Sequence, residues 1–389
     1  MPGLLPDVDP DGLLEFSVVY TDRALNHMSR RFQGVMTEIS GILKSVYRAH
    51  SAIVMPGSGT FGMEAVARQF ASGRAVVVLR NGWFSYRWTQ IFDMGHIPAS
   101  SQVLKARPVA PGTCQPWAPA PLSDVLQAIR TQRPAVLFAP HVETSAGMIL
   151  PDDYLQAVAQ ALHEHDGLLV LDCIASGAAW VDMRTTGVDV LISAPQKGWS
   201  GSPSCAFIML SERAHRAIEH TTSTSFASDL RKWLQVMQTY ESGSHVYHTT
   251  MPTDALQRVA AVMRETQAYG FDRLCQEQWA LGRGARQLLA SFGYASVAAP
   301  GFEAPGVVVS YTDDPEIQNA KKFLALGLQT AAGVPLQCDE GPDFRTFRLG
   351  LFGLDKLHHP ERTLEHLRQA LVQLQPLGRE EPERSAVSA

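Results

Sequence analysis

Short apolar runs that alternate with longer amphipathic stretches constrain the fold of this chain more than any other feature of its sequence. Six such runs, each four or five residues long and rich in Val, Ile and Leu, lie between residues 52 and 210. Because polar and apolar side chains do not alternate within them, they predict strands that are covered on both faces. The six runs are Ala52–Met55, Ala75–Leu79, Ala135–Ala139, Leu168–Leu171, Val188–Ile192 and Ala206–Leu210.

Amphipathic segments with helical spacing separate several of these runs, namely Thr60–Gln69, Leu122–Arg130 and Asp152–Glu164. An alternation of strands and helices is typical of an α/β fold in which right-handed crossovers build a mostly parallel sheet. The ligands of such sheets bind beyond the carboxyl ends of the strands. The residues that follow each apolar run are therefore the first candidates for a site.

The pattern changes after about residue 252, where long helical stretches come first and strands and helices then alternate. These segments predict a smaller α+β domain: helices Asp254–Tyr269 and Leu274–Ser291, strand Gly306–Tyr311, helix Pro315–Thr330, strand Thr346–Leu351 and helix Pro360–Leu374. We divide the chain into an N-terminal segment (1–25), a large α/β domain (26–258), a small C-terminal domain (259–376) and a disordered tail (377–389).

Composition excludes several classes of protein. The 389 residues are 45% hydrophobic and 18% charged, with a net charge of −5 and no basic stripe, so we expect no nucleic-acid partner. No apolar run approaches the roughly 18 residues of a membrane span, and the N-terminus lacks the pattern of a signal peptide. Five scattered cysteines form no CxxC pair, and the neighbouring histidines have no third ligand, so we assign no metal. We expect a soluble, cytoplasmic protein.

Three motifs at predicted strand ends carry chemistry. Gly57-Ser58-Gly59-Thr60 follows the first strand and opens a helix, where free amides can hold a phosphate. Asp172 ends the strand that begins at Leu168, and Lys197 follows the next strand within Ser-Ala-Pro-Gln-Lys-Gly. A partly buried lysine can act as an amine nucleophile and base. Together the three motifs predict a cofactor pocket that holds a carboxylate, an amine and a phosphate cradle.

With these residues in place, the sequence resembles the class V aminotransferases, in particular the alanine–glyoxylate and serine–pyruvate group. The resemblance extends from about residue 26 to residue 374, through the motifs GSGT, NGWFSYRW, HVETSAG, LDCIAS, SAPQKG, YHTTMP and FRLGLFG. It implies the two-domain fold type I of transferases that depend on pyridoxal 5′-phosphate (PLP). It also implies a homodimer in which each site is completed by residues of both subunits.

The resemblance assigns cofactor roles residue by residue. Lys197 would carry the cofactor as a Schiff base, Asp172 would pair with its pyridine nitrogen, and Ser176 would lie nearby. The residues implied to hold the phosphate are Ser58, Gly59, Thr60 and Gln196, with Tyr247 and Thr250 reaching the phosphate of the partner subunit.

Three further side chains have roles near the ring and the substrate. Phe84 would stack on the cofactor ring, Thr144 would hydrogen-bond its phenolic oxygen, and Arg348 would bind the substrate carboxylate. Each has a competitor in the sequence: Trp83 and Trp88 for stacking, Ser145 for Thr144, and Arg345 for Arg348.

The implied activity is a ping-pong transfer of an amino group from a small amino acid, of the alanine, serine or aspartate type, to a small 2-oxo acid such as glyoxylate or pyruvate. A PLP-dependent lyase or cysteine desulfurase is the alternative, with Cys338 as the candidate nucleophile. A more distant alternative is an NADP-linked oxidoreductase that uses Gly57–Gly62 and Arg80, because that segment also fits GxGxxG. A non-catalytic protein of the same fold is a third possibility, against which the intact Lys197 and Asp172 argue.

Overall fold

The computed structural model of the protein describes residues 13–374, so the predicted tail at 377–389 lies outside the described residues. The strands are β1 Ser51–Pro56, β2 Ala75–Arg80, β3 Ser100–Lys105, β4 Arg107–Pro108, β5 Trp117–Ala118, β6 Val136–Pro140, β7 Val142–Glu143, β8 Met148–Ile149, β9 Leu168–Asp172, β10 Val190–Ser193, β11 Cys205–Leu210, β12 Val307–Tyr311, β13 Ala331–Ala332 and β14 Thr346–Gly350.

The helices are α1 Arg30–Tyr47, α2 Gly59–Phe70, α3 Trp83–Gly95, α4 Leu122–Gln132, α5 Asp152–His163, α6 Met183–Thr186, α7 Glu212–Glu219, α8 Leu230–Glu241, α9 Thr253–Tyr269, α10 Phe271–Ser291, α11 Pro315–Gln318, α12 Lys321–Ala325, α13 Leu354–His358 and α14 Pro360–Leu374.

A seven-stranded sheet in the order β1-β11-β10-β9-β6-β2-β3 is formed by strands between residues 51 and 210. All of its neighbouring pairs are parallel except those that involve β11, which runs antiparallel to both β1 and β10. The six predicted strands all belong to this sheet, which confirms the expected mostly parallel α/β architecture. The seventh strand, β3, lies at an edge and is partly exposed, so its sequence lacks the apolar run that identifies the others.

The carboxyl ends of β1, β2, β6, β9 and β10 meet at one edge of this sheet, which we call the carboxyl edge. Their buried faces form one hydrophobic core with helices such as α1, α2 and α5. In β9, for example, all five residues are buried. This packing holds the loops that follow the strands at fixed positions.

A three-stranded antiparallel sheet, β12-β14-β13, packs against α10 in the C-terminal part of the chain, and α10 packs against α14. The predicted continuous helix over 315–330 is wrong: the structure has the two short helices α11 and α12 there. Ala320, which separates them, adopts a left-handed conformation with φ of 67° and so interrupts the helical path. Gly327, with φ of +82°, follows soon after α12.

Among residues 13–374, no helix is long and apolar enough to cross a membrane.

Candidate active site

A cavity of about 270 Å³ opens at the carboxyl edge of the central sheet. It is bordered by the loops that follow β1, β6, β9 and β10 and by the first turns of α2 and α3. Its lining residues are Ser58, Gly59, Thr60, Met63, Phe84, Arg87, Val142, Thr144, Asp172, Ile174, Ala175, Gln196 and Lys197. Eight of the residues singled out in the sequence therefore share one cavity, although they come from five separate segments of the chain.

The first turn of α2 forms one end of the cavity. Gly57 has φ of +120°, a conformation that favours glycine, and it leads the chain from β1 into the helix. Ser58 is the N-cap residue, yet its side chain makes no capping hydrogen bond. Because the first amides of a helix have no intrahelical acceptor, the Ser58–Thr60 turn presents unpaired N–H donors to the cavity. A phosphate is well suited to such a turn.

Asp172 lies at the base of the cavity, at the last position of β9. Its side chain is 7% exposed. Among the described residues its carboxylate accepts one hydrogen bond, from the amide of Ile174 at 2.9 Å. Burial raises the pKa of Asp172 to about 6, although the Ile174 amide and the positive charge of Lys197 act in the opposite direction. A buried carboxylate with so few donors is suited to a positively charged partner.

Ser176 lies behind Asp172 and does not line the cavity. Its hydroxyl shares a hydrogen bond of 2.7 Å with Nδ1 of His141, and both side chains are buried. Burial lowers the pKa of His141 to about 4, so the imidazole is neutral at pH 7. The pair is therefore a neutral, buried hydrogen-bonded unit.

Lys197 reaches the cavity from the loop after β10. Burial lowers the pKa of its amine, and the positive charges of Arg348 and Arg87 lower it further, while Asp172 acts in the opposite direction. The loop takes this path because Gly198 packs against the backbone of Gly177, where an added Cβ would lie 2.2 Å from a carbonyl oxygen. A glycine after the lysine is therefore a steric requirement of this turn.

Phe84 forms a wall of the cavity. The guanidinium carbons of Arg87 and Arg348 each lie 5.4 Å from the centroid of its ring. Arg348 also donates from Nε to the carbonyl of Ala332 at 2.8 Å. Its competitor Arg345 is exposed and donates to the carbonyl of Asp313 at 2.7 Å. The structure thus brings Arg348, rather than Arg345, to the neighbourhood of Phe84.

The two competitors for stacking are placed differently from Phe84. Trp88 is fully buried in the core, where its ring packs on Phe138 at 4.5 Å between centroids. Trp83 packs against Tyr86 and does not line the cavity.

Glu143, which the sequence reasoning did not single out, organises the start of α3. Its fully buried carboxylate accepts hydrogen bonds from the amides of Phe84 at 3.1 Å and Ser85 at 2.9 Å. It also accepts from the amide and the hydroxyl of Ser145, at 3.0 and 2.7 Å. This carboxylate fixes Phe84 on one side and the Thr144–Ser145 turn on the other. Ser145 is occupied in this way, whereas Thr144 faces the cavity.

Arg87 lines the cavity and was also missed by the sequence reasoning. It follows Phe84 by three residues on α3, and residues with that spacing lie on the same face of a helix. The motif NGWFSYRW therefore contained a signal for it, namely a cation one turn after the aromatic residue.

Tyr247 and Thr250 do not contribute to this cavity within the single chain. Both are exposed, and their hydroxyls share a hydrogen bond of 3.1 Å. Their assignment to the phosphate of a partner subunit stays a prediction.

The residues of the alternative hypotheses are engaged elsewhere. The thiol of Cys338 is buried and donates to the carbonyl of Arg80 at 3.2 Å, next to a separate cavity of about 560 Å³. Burial raises its pKa to about 12, so it is not a thiolate at pH 7. Arg80 donates to Thr89 and Gln337, and its guanidinium lies over the ring of Tyr86.

The residues present fit the cofactor that the sequence predicts. A buried carboxylate short of donors suits a pyridinium nitrogen, a partly buried amine suits an aldehyde, and the uncapped turn of α2 suits a phosphate. An aromatic wall completes the set. Each group lines the same cavity, so one ligand can contact them together.

Comparisons with known proteins found relatives named as transaminases and as a hydrogenase subunit. The chain is 25% identical over 333 residues to the small subunit of a soluble hydrogenase from Synechococcus sp. (strain PCC 6716), a match that covers 85% of this chain and 83% of that protein. It is 28% identical over 346 residues to 2-aminoethylphosphonate–pyruvate transaminase 2 of Paraburkholderia xenovorans, covering 85% and 84%. No family model matches the chain.

Among solved structures, alanine–glyoxylate aminotransferase from Nostoc sp. matches with a TM-score of 0.75 at 22% identity, over 89% of this chain and 88% of that chain. This likeness confirms the predicted fold class.

Proposed function

We propose that this chain is a PLP-dependent class V aminotransferase that moves an amino group from a small amino acid to a small 2-oxo acid in two half-reactions. The observation that carries the proposal is the presence of Lys197 and Asp172 in one buried cavity. The names of two similar proteins support a small acceptor, since one contains pyruvate and the other glyoxylate. A cavity of about 270 Å³ also favours small substrates.

PLP bound here supplies an aldehyde that captures an amine and a ring that accepts electrons from the substrate. Asp172 would hold the proton on the pyridine nitrogen, and the amide of Ile174 orients its carboxylate. Lys197 would take the proton from the substrate Cα as a general base and give it back as a general acid, a role that its lowered pKa favours.

The remaining residues bind and orient. The amides of Ser58, Gly59 and Thr60 hold the phosphate with the side chain of Gln196. Phe84 limits the tilt of the ring, and Thr144 donates to its phenolic oxygen.

Arg348 binds the carboxylate of the amino acid, for which a planar guanidinium offers two parallel donors. Tyr247 and Thr250 complete the phosphate site of the partner in a homodimer. Their exposure in the single chain supports this role, because side chains that serve a second subunit must be accessible on the first.

Borohydride reduction followed by digestion and mass spectrometry tests the proposal. We expect a pyridoxyl mass on the peptide that contains Lys197. The variant K197A should lack that mass and should lose about 10²–10⁴-fold in turnover, the usual contribution of a positioned acid–base group. K105A is the matched control, since Lys105 pairs with Asp339 away from the cavity. Absence of the pyridoxyl mass, or its presence on another lysine, would contradict the proposal.

A screen of alanine, serine, aspartate and 2-aminoethylphosphonate against glyoxylate, pyruvate and 2-oxoglutarate defines the substrates. We expect the highest turnover with glyoxylate or pyruvate, and parallel lines in double-reciprocal plots, as a ping-pong mechanism requires. A preference for 2-oxoglutarate would rule out the small acceptor while leaving the aminotransferase activity intact.

A further inference from the structure

Arg87 places a guanidinium group at the end of the cavity where α2 begins. It lies in the second turn of α3, and its Nη1 donates to Oγ1 of Thr60 at 3.0 Å. Its Cζ is 5.4 Å from the centroid of the Phe84 ring. The hydrogen bond therefore joins Arg87 directly to the turn that presents the free amides.

The charge of Arg87 acts on the buried Asp172, whose pKa it lowers, but the two side chains do not form an ion pair. Within residues 13–374, no carboxylate lies within ion-pair distance of its guanidinium, although most of the other ion pairs of the molecule involve arginine. A guanidinium keeps its charge at any ordinary pH, so the cavity holds a permanent positive charge. An anionic ligand would satisfy both the charge and the remaining donors.

The position of Arg87 distinguishes between the two anionic groups that the reaction brings to this cavity. Arg348 reaches Phe84 from the small domain and has the carbonyl of Ala332 as its protein partner, which places it with the substrate. Arg87 is anchored to Thr60, in the first turn of α2. The donors contributed there by Ser58, Gly59 and Thr60 are all neutral, whereas a phosphate monoester carries nearly two negative charges.

We propose that Arg87 is the phosphate-binding cation of this site and that it makes the protein select phosphorylated over unphosphorylated pyridoxal compounds. This inference rests on the proposed function, because it presumes that the cavity holds PLP. A fork of parallel N–H donors matches phosphate oxygens, and no other arginine or lysine except Lys197 lines the cavity among the described residues.

Binding to the apoenzyme tests the proposal with PLP, pyridoxal and inorganic phosphate as probes. We expect R87Q to weaken PLP binding by about 10–100-fold, the loss expected for a charge-assisted hydrogen bond to a phosphate. Pyridoxal binding should change by less than about threefold, because pyridoxal lacks the phosphate. Inorganic phosphate should compete with PLP more weakly in R87Q than in the wild-type protein. R87K, which keeps the charge without the fork, should be intermediate.

R107Q is the matched control, because Arg107 forms an ion pair with Asp124 on the surface and its side chain is 61% exposed. Thermal unfolding of each apoenzyme separates loss of fold from loss of a ligand contact. An equal weakening of PLP and pyridoxal binding in R87Q would show a merely structural role and overturn the proposal.

Unchanged PLP affinity with a raised KM for the acidic substrate would assign Arg87 to the substrate instead, and would also overturn the proposal. Failure of the proposed function is recognised separately, since it would appear in the wild-type protein as the absence of a pyridoxyl mass on Lys197.

Discussion

An aspartate is buried at each end of the strands of the central sheet: Asp172 at the carboxyl edge and Asp189 at the opposite, amino edge. The two carboxylates differ in the number of hydrogen bonds that they accept. Asp189 lies immediately before β10, at the amino edge. Its carboxylate accepts hydrogen bonds from Nε2 of His163 at 2.8 Å, from the amide of Leu169 at 3.0 Å and from the hydroxyl of Ser211 at 2.9 Å. Asp172, at the carboxyl edge, accepts one hydrogen bond from the described residues.

The difference separates a structural acid from a functional one. A buried carboxylate with three donors stabilises the fold, because each charge-assisted hydrogen bond offsets part of the cost of desolvation. A buried carboxylate with one donor destabilises the unliganded fold, and the raised pKa of Asp172 reflects that cost. Such an arrangement is useful only if a ligand supplies the missing positive charge.

The largest effect that this comparison predicts is on turnover after D172N. Asparagine keeps the acceptor for the Ile174 amide but removes the negative charge that stabilises the protonated ring. We expect turnover to fall by about 10²–10³-fold, the usual cost of removing one preorganised electrostatic contact. The rate at which the cofactor absorbance changes during a single turnover measures this step. Turnover within a few-fold of the wild-type value would show that Asp172 is structural after all.

The same substitution should stabilise the apoenzyme. The pKa of Asp172 is raised from 3.8 to about 6, so the folded protein binds this proton more tightly than the unfolded chain does. Stability is therefore lost as the pH rises from about 4 to about 6, and the full penalty, up to about 3 kcal/mol, is present above pH 6. Urea unfolding of the apoenzymes should show D172N more stable at pH 8 and equal to the wild type at pH 4. A destabilised D172N at pH 8 would contradict the comparison.

Some features of the carboxyl edge could be predicted from the sequence alone. Asp172 and Lys197 each follow an apolar run, and strand ends are identified by local composition. The helix break at Ala320 could not be predicted in this way, because alanine favours helices, whereas this alanine adopts a left-handed conformation.

The roles of Glu143 and Arg87 were also missed, for a related reason. Each acts through a contact with a segment distant in sequence: Glu143 with the start of α3, and Arg87 with Thr60. The spacing of Arg87 from Phe84 indicates a shared helix face, but neither long-range contact leaves a local pattern. The same is true of Asp189, whose three donors come from three separate segments.

The next largest effect is expected on the free energy of unfolding after D189N, at the amino edge. The amide group of asparagine can replace only one of the two acceptor oxygens, so a buried donor such as the Leu169 amide loses its partner. We expect a loss of about 2–3 kcal/mol in the free energy of unfolding, measured in urea at pH 8. Turnover per folded molecule should stay within about twofold of wild type. Lost turnover with unchanged stability would mean that the amino edge is also functional.

The smallest effect is expected for Cys338, which lies near the carboxyl edge. Like the carboxylate of Asp189, its thiol already has a hydrogen-bond partner in the protein. Its buried thiol donates to the carbonyl of Arg80, the last residue of β2, and its raised pKa keeps it neutral at pH 7. A serine hydroxyl can make the same hydrogen bond, so C338S should change transaminase turnover by less than about twofold.

Neither the wild-type protein nor C338S should release sulfide from cysteine, because only a thiolate is an effective nucleophile. If the wild-type protein does release sulfide and C338S stops doing so while it still binds PLP, this thiol is reactive despite its satisfied hydrogen bond. In that case the number of donors around a buried group would not identify the functional groups of this sheet, and a desulfurase would explain the chain better than an aminotransferase.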